Sequence, residues 1–193
     1  MGKYSAEQYV NDLREEYGKA MTLVSNIGKT LQEYMKSKGK NFSAEIFCKQ
    51  FDCILQYSML QMAVADGDVS ENEITVIKNI TAFGDLVEYI NSKYTTSVSW
   101  NDILNARTQS VKDWLARNEK FIDVLSKEFE LGFAVVDGAV EREDMLDVLC
   151  KATGALMGLV SGADGSSTDK EKEAARNCYF IKTIAGIEAK LRG

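Results

Sequence analysis

The chain has 193 residues and a formal net charge of −6, with 45% apolar and 27% charged residues. This composition is typical of a globular protein, and the acidic balance argues against general binding to nucleic acid or anionic lipid. The chain contains no histidine, which removes the commonest general base and the commonest zinc ligand, so a metal site would need oxygen ligands. It also contains no proline, which favours a fold of long helices.

The sequence carries no targeting or membrane signal that we recognise. The N-terminal stretch MGKYSAEQYV lacks the apolar core of a signal peptide, and no apolar run reaches transmembrane length. The cysteines form no CxxC pair and have apolar neighbours, so we expect reduced thiols in the core: Cys48, Cys53, Cys150 and Cys178. These features predict a cytoplasmic protein.

Helical periodicity runs through the first half of the chain. Apolar residues three and four positions apart predict one long helix from Ser5 to Lys38. Its apolar face consists of residues three or four positions apart: Val10, Leu13, Tyr17, Ala20, Val24, Ile27, Leu31 and Tyr34. A second helix is predicted from Ser43 to Ala65, and a third from about Ser70 to Phe83 after the turn DGDV. Residues 84–98 predict a short helix followed by a loop.

The second half of the chain repeats the pattern of the first half. A shift of 98 residues superimposes the apolar positions of the first two helices on apolar positions further along, and the ADG at 65–67 on the ADG at 163–165. We therefore predict an all-α helical bundle of about seven or eight helices with pseudo-twofold symmetry. The prediction is a single domain, 1–193, whose similar halves, 5–83 and 103–181, are joined by 84–102 and share one core.

The two ADG turns partly match a calcium-binding loop. An EF-hand loop has ligands at positions 1, 3, 5, 7, 9 and 12 and a glycine at position 6. With Gly67 at position 6, Asp66 and Glu73 fall on positions 5 and 12, but positions 1 and 3 are Met62 and Val64. Neither side chain has an oxygen, so a true EF-hand is excluded.

The same turns also match a helix-capping pattern. Ser70 with Glu73, and Thr168 with Glu171, have the S/T-x-x-E spacing of a capping box. A carboxylate near a helix N-terminus is favourable without any bound ion. Capping thus explains most of these residues, and both alternatives remain open for the acidic turns.

The segment LQMAVADGDVSENEITVIKNI resembles the first motif of the TerB-like tellurite-resistance family, in which ADG is followed by Ser or Thr and then by Glu. A looser instance is FAVVDGAVEREDML. The resemblance covers roughly residues 42–183. It implies an all-helical bundle, binding of a divalent cation, and a role in stress response or in membrane-associated complexes. The ligands that it implies are Asp66, Asp68 and Glu73, with Asp137 and Asp144 as a partner cluster. The internal repeat adds three candidate ligands, Asp164, Asp169 and Glu171. The same repeat aligns Asp137 with Gly39, and in that case Asp137 would be a turn residue instead of a ligand.

Three classes of function follow from these patterns. The first is a non-enzymatic TerB-like protein that binds Ca²⁺ or Mg²⁺ through Asp66, Asp68 and Glu73. The second is an interaction module with purely structural DG turns, in which an exposed apolar patch on the N-terminal helix binds a partner protein or forms a homodimer. The third is an enzyme using the carboxylates at 141–144, which we disfavour because histidine and a glycine-rich phosphate loop are missing from the sequence.

Overall fold

The computed structural model describes residues 6–67, 69–70, 72–73, 108–134, 142–162 and 168–192. Within these ranges the chain is all-α and has no strand. The helices are α1 (Ala6–Ser37), α2 (Ala44–Ala63), α3 (Thr108–Ala134), α4 (Arg142–Ser161), α5 (Asp169–Asn177) and α6 (Tyr179–Arg192). The described helices include none with the length and apolar character needed to span a membrane.

The first two predicted helices are confirmed, with bounds that differ from the prediction by at most two residues. The predicted third helix lies outside the described residues beyond residue 73. The predicted connection at 84–102 lies outside them entirely.

The apolar stripe of α1 is buried in the core. Its side chains at Leu13, Ala20, Val24, Ile27 and Leu31 have no exposed surface. α2 and α4 pack against α1, so its stripe is covered by the same chain. The exposed apolar patch that the interaction-module alternative predicted on this helix is therefore wrong, and the stripe is not available for a homodimer. Burial of the stripe against α4 is what the prediction of one core shared by the two halves requires.

The end of α1 is a Schellman motif. Gly39 has a φ of 68°, in the left-handed region that glycine adopts without steric cost. The N–H of Lys40 donates to the carbonyl of Met35 at 2.9 Å, and the N–H of Gly39 donates to the carbonyl of Lys36 at 3.0 Å. These bonds fix the direction in which the chain leaves α1 toward α2.

α2 is the central helix and packs against α1, α3, α4 and α6. It begins after the N-cap Ser43, whose hydroxyl accepts a hydrogen bond from the Ile46 N–H at 3.2 Å. Its apolar residues are distributed around the helix, and 13 of its 20 residues are buried. A helix that is apolar on all sides is stable only inside a bundle.

Polar side chains of α2 hold the start of α6. The Oε1 of Gln61 accepts a hydrogen bond from the Tyr179 N–H at 3.0 Å, and the Oγ of Ser58 accepts one from the Phe180 N–H at 2.9 Å. The first N–H groups of a helix have no partner within the helix, so these bonds satisfy two of them. They explain how α6 can follow α5 with only Cys178 between the two helices.

Some features of the structure fit the 98-residue repeat. α2 and α4 each have 20 residues, and their bounds are offset by 98 positions. The repeat makes α1 equivalent to α3 and α2 equivalent to α4. A twofold arrangement of the halves therefore requires that α1 contact α4 in the way that α3 contacts α2, and both contacts are present. The close contact of α1 with α2 has no counterpart, however, because α3 and α4 are not among the closely packed helix pairs in the described ranges. The repeat of the whole chain stays a prediction.

Candidate functional site

The first DG turn uses its glutamate to cap the following helix. Glu73 is 3% exposed, and its Oε2 accepts hydrogen bonds from the N–H and the hydroxyl of Ser70 at 2.8 and 3.0 Å. The Glu73 N–H donates in return to the Ser70 Oγ at 3.1 Å. These reciprocal bonds are a capping box, so that prediction is confirmed. Gly67, with a φ of 111°, provides the left-handed residue of the turn.

The second DG turn ends in the same way. The Glu171 N–H donates to the Thr168 Oγ1 at 3.2 Å, and the Glu171 Oε2 accepts a hydrogen bond from the Thr168 N–H. Glu171 is also 3% exposed. Both glutamates that we predicted as metal ligands therefore have a structural function at a helix start. In each of them, Oε2 is already engaged by the protein.

The structure describes only part of the predicted metal site. Asp66 is exposed on its turn. The backbone of Asp144 belongs to α4, but its side chain is not described, and three other predicted ligands lie outside the described residues: Asp68, Asp137 and Asp164. Where the structure describes the chain, no three Cys, Asp or Glu side chains are close enough together to hold a metal ion. Binding of Ca²⁺ or Mg²⁺ at these turns stays a prediction.

An apolar groove of about 410 Å³ lies where the end of α1, the start of α2 and the end of α3 meet. Its apolar lining consists of Met35, Phe42, Ile46, Phe47 and Leu131. Its polar lining includes Gln50, whose amide donates to the Oε2 of Glu128 at 2.7 Å. The two longest polar side chains of the lining are thus hydrogen-bonded to each other, and the rest of the lining is mainly apolar.

Phe47 forms the buried floor of this groove. It is 1% exposed, and its ring stacks on Phe129 with 4.5 Å between ring centroids. Glycines on both neighbouring helices make room for the ring, because a Cβ at either Gly28 or Gly132 would lie 3.3 Å from it. The floor is therefore tightly packed by α1 and α3 and offers a preformed surface.

Two side chains of the groove lining are strongly exposed. Ile46 on α2 is 55% exposed and Leu131 on α3 is 58% exposed. We did not single out either residue from the sequence. Residues one or two positions apart on a helix point in different directions. Ile46 directly precedes the buried Phe47, and Leu131 lies two positions after the buried Phe129, so neither shares the face of its buried neighbour. An apolar residue out of phase with the buried stripe was the signal that could have found them.

A second cleft, of about 500 Å³, lies between α2, α3 and α5. Its charged lining is mixed and consists of Lys112, Glu119, Lys170 and Glu173. At this cleft the hydroxyl of Tyr57 donates to the carbonyl of Leu115 at 2.7 Å. Burial, with the nearby charges of Glu119 and Asp123, raises the pKa of Tyr57, so the phenol remains a hydrogen-bond donor at neutral pH. Because its walls carry both signs of charge, the cleft indicates no particular ligand.

Comparisons of the chain with protein-family models, with curated proteins and with solved structures found no match. The resemblance to the TerB-like family rests on the ADG motif and stays a prediction. The basis for a functional proposal is therefore the geometry of the described residues, in which the groove beside Phe47 combines an apolar lining with two strongly exposed apolar side chains.

Proposed function

We propose that this chain is a non-enzymatic interaction module that binds an apolar segment of a partner protein in the groove between α1, α2 and α3. The observation that carries the proposal is the exposure of Ile46 and Leu131 beside the buried ring of Phe47. A single exposed apolar residue is ordinary in a globular protein. Two of them lining one apolar groove form a surface whose free energy falls when a partner covers it. Partner segments bind such grooves by inserting apolar side chains at helical spacing.

The exposed area sets the expected strength of each contact. Full burial of a Leu or Ile side chain contributes about 1.5–3 kcal/mol, and the exposed half of Ile46 or of Leu131 therefore contributes about 1 kcal/mol. Each residue is thus expected to account for about a fivefold change in affinity through its own area. Placing a charge at either position adds the cost of burying that charge against the partner.

The acidic turns support the proposal because their glutamates have a structural role. Glu73 and Glu171 are buried in capping boxes, as a purely structural turn requires. This favours the interaction module over the cation-binding alternative. The complex-scaffolding role implied by the TerB-like resemblance is also an interaction function.

The state of the cysteines supports the non-enzymatic part of the proposal. Burial raises the pKa of the Cys178 thiol and that of the Cys48 thiol. The thiolate is the nucleophilic form of cysteine, so a raised pKa keeps both side chains weakly reactive at neutral pH. Their surroundings are therefore those of packing residues.

The test is a selection of random peptides of about 16 residues, four helical turns, on the full-length protein. Binding of the enriched peptides is then measured by fluorescence anisotropy on the wild type and on Ile46→Asp and Leu131→Asp. Val124→Asp is the matched control, because Val124 is 51% exposed on α3 but does not line the groove. Circular dichroism melts confirm that all variants are folded.

Groove binding predicts that the enriched peptides bind the wild type and Val124→Asp equally well. Ile46→Asp and Leu131→Asp should each weaken binding by about tenfold or more, because a charge replaces an apolar anchor. The proposal is wrong if no enriched peptide depends on either groove residue, or if Val124→Asp reduces binding to the same extent.

A further inference from the structure

The rim of the groove is basic on the side of α1, although the chain as a whole is acidic. Lys36, Lys38 and Lys40 are exposed in the last turn of α1 and the turn after it. Met35 and Asn41, on either side of these lysines, both line the groove. The hydrogen bond from the Lys40 N–H to the Met35 carbonyl, at 2.9 Å, holds this turn against the end of α1. The lysines are thus carried on a fixed segment at the edge of the groove.

The positive charge of this rim is not neutralised by the described residues. None of the three lysines belongs to an ion pair of the described part of the chain. Of the acidic residues near the groove, Glu45 pairs with Lys49 at 3.0 Å, whereas Glu128 accepts a hydrogen bond from the neutral amide of Gln50 and keeps its negative charge. The Lys38 ammonium lies over the ring of Tyr34, 5.5 Å from its centroid, which leaves its positive charge in place. Three ammonium groups outside any described ion pair are therefore carried beside an apolar groove, on a chain of net charge −6.

We infer that the segment bound in the groove is an acidic amphipathic helix of a partner protein, an inference that rests on the proposed function. Its apolar face covers Ile46 and Leu131, and its carboxylates lie against Lys36, Lys38 and Lys40. Complementary charge at the rim raises the association rate and fixes the orientation of the bound segment. The same lysines repel a segment with a basic polar face, which gives specificity.

The experiment compares two synthetic helical peptides that share one Leu- and Phe-containing apolar face. The polar face of one peptide carries glutamates, and that of the other carries lysines. Both are titrated onto the full-length wild type, onto Ile46→Asp, and onto a triple charge reversal at Lys36, Lys38 and Lys40. A matched triple reversal, with the same change in net charge, is placed away from the groove at Lys112, Lys120 and Lys170. Lys112 is about 28 Å from Leu131 along α3, at 1.5 Å per residue.

We expect the acidic peptide to bind the wild type about tenfold more tightly than the basic peptide. The reversal at the rim should abolish or invert this preference, whereas the matched reversal should retain it. Raising NaCl from about 0.05 M to about 0.5 M should reduce the preference, because exposed charges are screened.

Three results would overturn the inference, and they separate it from the proposed function. Equal binding of both peptides that still depends on Ile46 means that the groove binds apolar segments without selecting acidic ones. Binding that does not depend on Ile46 removes the proposed function as well. Light scattering that shows a wild-type dimer, dissociated by Ile46→Asp, would identify a second copy of this chain as the occupant.

Discussion

Replacing Gln56 with methionine is expected to stabilise the protein. Gln56 lies in the middle of α2 with no exposed surface, and neither atom of its amide has a hydrogen-bond partner among the described residues. A buried amide without hydrogen bonds costs about 1–3 kcal/mol. Methionine has a similar length, flexibility and helix propensity, so the substitution removes the polar group with little change in packing.

The magnitude follows from the state of the side chain in the structure. Because both the donor and the acceptor of the amide are unpaired, the middle of that range, about 2 kcal/mol, is the expected gain in the free energy of unfolding. In a chain of this length, a change of 1 kcal/mol in the free energy of unfolding shifts Tm by about 2–4 °C. The Tm of Gln56→Met should therefore rise by about 4–8 °C.

The assay is thermal and urea unfolding followed by circular dichroism, with Gln61→Met as the matched control. Gln61 is on the same helix, but its amide oxygen accepts the Tyr179 N–H at 3.0 Å. Removing that acceptor should lower the stability by about 1 kcal/mol. If Gln56→Met destabilises the protein as much as Gln61→Met does, the amide of Gln56 is satisfied in solution and the reasoning is refuted.

Four further substitutions, at three positions, and one titration test other parts of the structure by the same unfolding measurements. Gly154→Ala should stabilise by about 0.5–1 kcal/mol, because Gly154 is inside α4 and no described atom lies within 4 Å of the added Cβ. Gly186→Ala should change the stability by less than about 1 kcal/mol, because the new Cβ would lie 2.5 Å from the Oε1 of Glu130, but this atom ends a flexible side chain that can shift, and alanine has a higher helix propensity than glycine. Glu171→Ala should lower the free energy of unfolding by about 1 kcal/mol, because it removes the capping box with Thr168. Glu171→Gln should lower it less, because glutamine can also accept the Thr168 N–H. CaCl₂ or MgCl₂ at about 10 mM should leave Tm unchanged, whereas a site with a Kd of about 10⁻⁴ M would stabilise by about 2.7 kcal/mol.

The contrary results are equally specific. A loss of stability in Gly154→Ala would mean that another part of the chain packs on this glycine. A loss of about 2 kcal/mol or more in Gly186→Ala would mean that the Glu130 side chain is held in place above this glycine. Equal losses in the two Glu171 variants would point to its charge instead of its hydrogen bond. A saturable rise in Tm with Ca²⁺, reversed by EDTA, would restore cation binding as the leading function.

The sequence by itself determined the first two helices and the capping boxes after the two DG turns. The spacing of apolar residues predicted α1 and α2, with bounds within two residues of those in the structure. The capping boxes of Ser70 and Thr168 could also be read directly from their S/T-x-x-E spacing. These features depend on residues three or four positions apart, so neighbours in the sequence are enough to specify them.

Only the tertiary structure decided which surfaces are buried and which remain open. The sequence left two predictions for the stripe of α1, burial in a core shared by the two halves or exposure to a partner, and in the structure α2 and α4 cover it. Ile46 and Leu131, in contrast, remain exposed at the groove. The contacts responsible join distant residues: the bond from Gln50 to Glu128 spans 78 positions, and that from Tyr179 to Gln61 spans 118. Such pairs leave no periodic signal in the sequence, because they depend on how whole helices pack against one another.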